Sequence, residues 1–387
     1  MDIFLFNPDN DMALANFTPY YKSPGEIEVM AADLAILPMW FAPEGSAVKV
    51  PSYTSCEKYL AYCGDLLPSS VSVIDSWIQG HYFPWGWSPA LVHYLQQNGV
   101  DKAFLPPAGY LDDLRRLSGR QQTVLVLDRL LSLEGTCGYT AIARNLDEIK
   151  IFLKDYSNII LKSPWSGSGR GLAHVTAEKW NPSLEGWISR LLRTQKEIMM
   201  EPYYDRILDF AMEFYADGEG HLSFVGYSLF ETDSHGNYKS NFLLSDAEIE
   251  RRLTAYTTYR CLENIRSALL DVMTGLLGNS YTGYLGVDMM ICHDNGVFYV
   301  HPCVEINLRM NMGVVSHILY RNLLDEASTG NFHVVHYSSD SEAEIFHQNM
   351  LSRYSLVTNN KRIRSGYFSL TPLKSETRYQ AYIIVRP

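Results

Sequence analysis

The sequence predicts an α/β chain of two or three domains. At 387 residues it is longer than one hydrophobic core usually organises. Its hydrophobic content of 47% is that of an ordinary globular protein rather than a disordered or membrane-embedded one. Short β-branched runs, "DIFLFNP", "AVKVP" and "VSVID", alternate with helical patterns over residues 1–112, the mark of an open α/β domain.

Charge narrows the function classes. A formal net charge of −11 argues against nucleic-acid binding and against anionic membranes, since the field repels both. The start, "MDIFLFNPDN", carries Asp2 and no basic stretch, which reads against a signal peptide. The most apolar segment, "MAADLAILPMWFAP", is broken by Asp33 and Pro38 and is too short to span a bilayer. Cys56, Cys63, Cys137, Cys261, Cys292 and Cys303 show no CxxC spacing and read as reduced thiols of a cytoplasmic chain.

Taken in order, the first strand ends in the turn-prone "NPDND". The clearest early helix is "SPALVHYLQQNGV", with Ser88 as N-cap, Pro89 at the first position and Gly99 near its end. No GxGxxG follows the first strand, so nothing marks a dinucleotide site. A helix is expected over "SGRQQTVLVLDRLLSLEG", stopped by Gly135. Another covers "NLDEIKIFLKDY", with Asn145 as cap and Glu148 at the capping-box position. "NIILKSPWSGSGRGLAHV" reads as strand, Gly/Ser-rich loop and strand. "EIMMEPYY" and "DFAMEFYAD" are strands, and "AYTTYRCLENIRSALLDVMTGLLG" is a long amphipathic helix. "GYLGVDMMICHDNGVFYVHPCVEINLRM" is a hairpin turning at Asn295-Gly296. "SGYFSLTP" and "RYQAYIIVR" close the chain as a strand pair.

The chemistry gathers in two places. Along "VEINLRMN", Val304, Ile306, Leu308 and Met310 share one strand face, and Glu305, Asn307, Arg309 and Asn311 share the other. A solvated sheet face is the ordinary cause of alternation. A row of carboxylate, amide and guanidinium, however, suits hard cations and phosphate oxygens. If Asp294 pairs with Val297, simple register sets Asp288 opposite Cys303, with Glu305 the diagonal neighbour; Pro302 threatens a bulge. Asp288, Glu305 and Asn307 then converge, and carboxylates so close call for Mg²⁺ between them. A Glu305–Arg309 salt bridge is the rival reading. The second place is "LKSPWSGSGRGL". Gly167, Gly169 and Gly171 let several N–H groups face one anion, beside Lys162. GxxxxGK[ST] is absent, and a hairpin tip with a chance lysine is the alternative.

In series, "IILKSPWSGSGRGL", "EIMMEPYYDRILDFAMEFYAD", "GVDMMI" and "VEINLRMN" resemble the ATP-grasp superfamily, in its biotin carboxylase-like branch, over residues 113–320. The resemblance implies an N-terminal open α/β domain (1–112). An ATP-grasp fold of two α+β subdomains clasping ATP follows (113–330, lid about 140–200), then a C-terminal segment (331–387) that completes the fold. It implies that Lys162 contacts the α and β phosphates beneath the loop of Ser166, Gly167, Ser168 and Gly169. Glu201 and the backbone around Tyr203 hold the adenine edge, although Pro202 removes a donor there. Asp209 takes a ribose position more often filled by Glu or His. Asp288, Glu305 and Asn307 hold one or two Mg²⁺ ions, with Mn²⁺ as the alternative. Arg309, with Lys162, is catalytic, neutralising the transferring phosphoryl group. Arg120 is the nearest basic residue to an earlier lysine of the family.

The activity implied is an ATP-dependent ligase that joins a small-molecule carboxylate to an amine through an acyl phosphate. A small-molecule kinase and a nucleotide-binding protein without turnover are the rivals. Partners are small molecules, with neither nucleic acid nor membrane, and a homodimer is compatible. For the substrate, Asp9, Asn10 and Asp11 stand just past the first strand, where open α/β domains bind ligands. A turn with helix caps is the alternative there. Trp165, His235 and Lys239 are further candidates.

Overall fold

The computed structural model describes residues 1–68, 70–166, 171–233 and 238–387. The chain divides into two compact units. The first comprises residues 1–111, 239–246 and 310–387, the second residues 112–238 and 247–309.

The first unit opens with β1 (Asp2–Leu5), α1 (Asn10–Asn16), α2 (Gly25–Asp33), β2 (Ala47–Lys49), α3 (Glu57–Cys63), β3 (Ser72–Ile74), β4 (His81–Pro84) and α4 (Pro89–Gln97). The four strands form a parallel sheet in the order β3-β2-β1-β4. Ile3, Ala47 and Tyr82 pack under Leu95 of α4. That helix starts where the sequence places it, because the Ser88 hydroxyl accepts the Leu91 N–H at 3.2 Å. The segment after β1 is a clamp: Asn7 Nδ2 donates to Gly86 O at 2.8 Å, tying it to the chain beyond β4. Asp9 Oδ2 accepts from the Ser23 hydroxyl at 2.7 Å. Next comes α5 (Ala108–Ser118).

The second unit continues with α6 (Gln121–Leu130), β5 (Ala141–Ala143), α7 (Leu146–Tyr156), β6 (Asn158–Lys162), β7 (Leu172–Thr176), α8 (Pro182–Gln195) and β8 (Ile198–Pro202). The helix expected over 118–135 ends at Leu130. Thr136 Oγ1 lies 3.1 Å from Leu130 O and 2.7 Å from Leu133 O, so the hydroxyl serves the carbonyls at the helix end. β5-β8-β6-β7 form an antiparallel sheet. On it α7 and α8 bury Ile149, Phe152, Ile188 and Leu191 against Ile159, Leu161, Val175 and Met200. Asn145 caps α7 through the Glu148 N–H at 3.0 Å.

The chain then runs through β9 (Asp205–Asp217), β10 (Leu222–Thr232), β11 (Tyr238–Leu243), α9 (Asp246–Leu253), α10 (Tyr259–Leu277), β12 (Thr282–Asp294) and β13 (Val297–Asn307). In the second unit β13-β12-β9-β10 are neighbours, all antiparallel. The remaining elements are α11 (Met312–Leu323), β14 (Thr329–His336), α12 (Glu342–Arg353), β15 (Val357–Asn359), β16 (Arg362–Ser369) and β17 (Tyr379–Arg386). In the first unit β11-β14-β17-β16-β15 are neighbours, again antiparallel. The closing strand pair of the sequence is β16–β17, with Tyr367 opposite Ile384. Among the described residues no helix is long and apolar enough to cross a membrane. The cysteines are free thiols.

Candidate active site

The hairpin β12–β13 carries the acidic centre. It turns as the sequence predicts: Asp294 pairs with Val297, with Asn295 at φ 48° and Gly296 at φ 83°. The register beyond differs from the simple count. Met290 pairs with His301, but Asp288 pairs with Glu305, so two steps along β12 match four along β13. Pro302 lies in this bulge, and having no N–H it cannot complete a regular ladder. Glu305, not Cys303, therefore stands directly opposite Asp288, and Asn307 stands opposite Gly286. Asn307 Nδ2 donates to Asp288 Oδ2 at 3.0 Å.

The polar row is also shorter than expected. The strand ends at Asn307, and the Arg309 N–H turns back onto Asn307 O at 2.9 Å. Asn311 leaves the row altogether. As the N-cap of α11 its side chain accepts the Val314 N–H at 2.9 Å, a role for which asparagine is among the best residues.

Lys162 and Arg120 reach β13 from other elements of the second unit. Lys162 ends β6 two residues beyond the partner of Glu201 on β8, which makes the two diagonal neighbours. Both are buried, with Lys162 Nζ 2.6 Å from Glu201 Oε2; Nζ also donates to Val304 O at 3.2 Å. Thr140 Oγ1 donates to Glu201 Oε1 at 3.2 Å. Arg120, only 5% exposed, reaches further. Its Nη1 donates to Ser163 O at 2.7 Å and Ser166 Oγ at 2.5 Å. Its Nη2 donates to Ser166 O at 3.2 Å and Glu305 Oε1 at 2.6 Å.

The base of the glycine-rich loop is tight. Ser163 N–H donates to Gly171 O at 2.9 Å, and Gly171 sits at φ 77°, where a Cβ would fall 2.2 Å from Ser163 Oγ. Trp165 is pinned by its Nε1–H to Arg115 O at 3.0 Å, with the Arg115 guanidinium 4.9 Å from its ring centre. Gly167, Ser168, Gly169 and His235 lie outside the described residues. Lys239, on β11, and Asp9, Asn10 and Asp11 belong to the first unit.

The residues that the sequence resemblance sets at an adenine edge and ribose have partners of their own. Tyr203 stacks on His174 at 4.3 Å and its N–H donates to Asn158 O at 2.9 Å, so that hinge amide is already committed. Asp209 accepts from Thr232 Oγ1 at 2.9 Å and stands 3.1 Å from Arg206 Nη1; its burial raises its pKa against those two.

Two residues escaped the sequence reading. Glu213, 1% exposed on β9, lies directly across from Gly286 and accepts from the Ser228 hydroxyl at 2.8 Å. Its only sequence signal is a carboxylate inside the apolar run "DFAMEFYAD". His301 is fully buried, its ring edge-to-face with Tyr204 at 5.3 Å, and among the described residues neither ring nitrogen has a hydrogen-bond partner. Burial, helped by the Lys162 charge, pushes its pKa down to about 3.

The electrostatics favour a cation at the hairpin. Burial pushes Asp288 well above the usual carboxylate range, and Glu305 and Glu213 push it further. The Asn307 hydrogen bond and Arg309 oppose this. Among the described residues no three His, Cys, Asp or Glu side chains gather closely enough to hold a metal unaided. Asp288, Glu305 and Asn307 fit a hard cation that takes its remaining ligands from phosphates and water.

No family model and no curated protein sequence matches the chain. The likeness lies in structure. Biotin carboxylase from Campylobacter jejuni superposes with a TM-score of 0.52 at 13% identity, over 100% of this chain and 88% of that one. The chain has the ATP-grasp fold. Two further structures with the ATP-grasp fold are similar. N5-carboxyaminoimidazole synthetase from Staphylococcus aureus has a TM-score of 0.50 at 12% identity, over 100% of this chain and 92% of that one. Pyruvate carboxylase from Rhizobium etli has a TM-score of 0.53 at 11% identity, over 100% of this chain and 36% of that much longer one. Identities this low speak for the ATP-grasp fold and not for a substrate.

Proposed function

We propose that the chain is an ATP- and Mg²⁺-dependent ligase that joins a carboxylate to an amine through an acyl phosphate. The observation that carries this reading is the convergence in the second unit. Asp288, Glu305 and Asn307 meet on one hairpin, and Arg120 links Glu305 to the base of the loop that Lys162 opens. Carboxylates gathered beside the buried cations Lys162 and Arg120 suit phosphoryl transfer. There the protein positions the groups in line and neutralises charge on the moving phosphoryl. The C. jejuni biotin carboxylase is described as a β-γ-ATP complex and a similar purK synthetase as an ADP complex. Both support the reading that a protein of this fold takes a nucleotide.

In this reading Asp288, Glu305 and Asn307 hold Mg²⁺, which supplies Lewis-acid neutralisation of the phosphate oxygens. Lys162 and Arg120 bind phosphates beneath the loop of Ser166, Gly167, Ser168 and Gly169. Glu201, the hinge around Tyr203, and Asp209 take the nucleoside. Arg309, close enough to Asp288 to draw its pKa down, acts on the transferring group. The substrate carboxylate is phosphorylated, and the amine then displaces phosphate.

The test is release of ADP and phosphate with panels of acids, with and without amines. A ligase needs both partners for sustained phosphate release. ADP formed without amine, alongside a stable phosphorylated product, would make the chain a kinase instead. No release with any pair, together with no nucleotide binding, would remove the reading.

A further inference from the structure

Trp165 differs from the other tryptophans of its layer. Trp180 and Trp187 pack against the apolar core that α7 and α8 close over β5-β8-β6-β7, and among the described residues Trp165 is not part of that core. Trp165 is half-buried, and its two N–H groups go to two different helices. The backbone N–H donates to Gln195 Oε1 at 3.1 Å, at the last residue of α8. The indole Nε1–H donates to Arg115 O at 3.0 Å on α5, and the Arg115 guanidinium lies 4.9 Å from the ring centre. All three residues belong to the second unit.

These contacts bear on one short stretch. Residues 163–166 follow the end of β6 at Lys162 and form neither helix nor strand. Backbone without a ladder keeps its direction only through specific contacts. Arg120 holds this stretch from the start of α6: its N–H donates to Pro164 O at 3.0 Å and its Nη1 to Ser163 O at 2.7 Å. Trp165 holds the same stretch from α5 and from the end of α8. A stacked ring and a directed N–H at its rim fix the side chain more closely than burial alone would.

On the nucleotide-site reading above, we propose that Trp165 is a positioning residue that ties the strand end carrying Lys162 to α5 and to the end of α8. The base of the glycine-rich loop is thereby held for an anionic ligand before that ligand arrives. Ordering residues 163–166 then takes little from the binding free energy.

Mg-ADP affinity by calorimetry, beside melting temperatures taken without nucleotide, tests this on the full chain. Trp165→Ala loses the ring and its N–H. Trp165→Phe keeps a ring on Arg115 and loses the indole N–H. Gln195→Leu keeps the volume and removes the acceptor of the Trp165 N–H, at a residue to which the reading gives no ligand contact. A hydrogen bond and a cation–π contact together bias a conformation by about tenfold. Apparent affinity falls with the fraction of chains that hold the binding conformation, so Trp165→Ala is expected to weaken ADP about tenfold. Trp165→Phe and Gln195→Leu are expected in between, with native melting temperatures, and phenylalanine restores part of what alanine loses. Should Trp165→Ala fold poorly, these two milder variants decide. Native ADP affinity in a folded Trp165→Ala, or in both milder variants, overturns the proposal and leaves the nucleotide site standing. Affinity that falls only in step with the melting temperature also overturns it, because Trp165 then serves folding alone. No ADP binding by the native chain removes the underlying reading, and this proposal with it.

Discussion

Lys162 Nζ stands 2.6 Å from Glu201 Oε2, and both side chains are buried. The pair joins the end of the loop strand to the hinge strand. Removing one partner leaves the other charge without compensation in a poorly solvated place. Glu201→Ala is expected to lose roughly 3–5 kcal/mol of stability, whereas the double change Lys162→Met with Glu201→Leu recovers most of it. Urea denaturation of the two variants and the native chain checks this. Equal losses would mean that the pair contributes packing rather than charge.

Mg-nucleotide is expected to raise the melting temperature of the native chain, and Glu305→Gln to shrink the shift. The motive is the direct pairing of Asp288 with Glu305, which places two carboxylates side by side on neighbouring strands. A ligand at a hundredfold excess over its Kd stabilises by about 2.7 kcal/mol. Differential scanning fluorimetry with Mg-ADP reads the effect. An unshifted native chain at millimolar Mg-ADP would remove the cation-site reading.

How much of this was legible in the sequence differs by residue. The Asn295-Gly296 turn and the Ser88 and Asn145 caps were legible because each is decided within a few residues. The pairing of Asp288 with Glu305 was not. It depends on how far the chain steps at Pro302, and only the partner strand decides that. Asn311 satisfied two patterns, an alternating strand and an N-cap, and the cap prevailed because Arg309 turns the chain back at Asn307. The bond from Arg120 to Glu305 spans 185 residues, beyond any local signal. Likewise β11 pairs with β14 after a long excursion, so residues 239–246 join the first unit, though nothing nearby in sequence announces it.

His301 gives the chain a specific acid sensitivity. Its pKa is about 3 when folded and about 6.5 when unfolded. Between those values the unfolded chain binds the extra proton, so stability falls as pH drops through 6.5 toward 3. From pH 7.5 to 5.0 this single group is expected to remove about 2 kcal/mol, since only the span below 6.5 counts. His301→Leu abolishes that part. Denaturant midpoints of both proteins at the two pH values test it, and parallel losses would show that other groups carry the acid sensitivity.

Lys162 and Arg309 are expected to fail differently. Lys162 ends the strand that opens the loop, and on the proposed reading it meets the phosphates both before and during transfer. Contacts shared by ground and transition states show in nucleotide affinity. Lys162→Ala should therefore weaken ATP binding while turnover at saturation changes less. Arg309 stands past the end of β13, beyond the acidic pair, and draws the Asp288 pKa down from there. A guanidinium so placed acts most where charge develops. Arg309→Ala should keep nucleotide affinity near normal and reduce kcat by roughly a hundredfold or more, as for other preorganised donors to a developing anion. Calorimetry of ADP binding beside steady-state ADP release separates the two effects. Native turnover in Arg309→Ala would return Arg309 to a structural role and leave Lys162 and Arg120 as the cations that serve the phosphates.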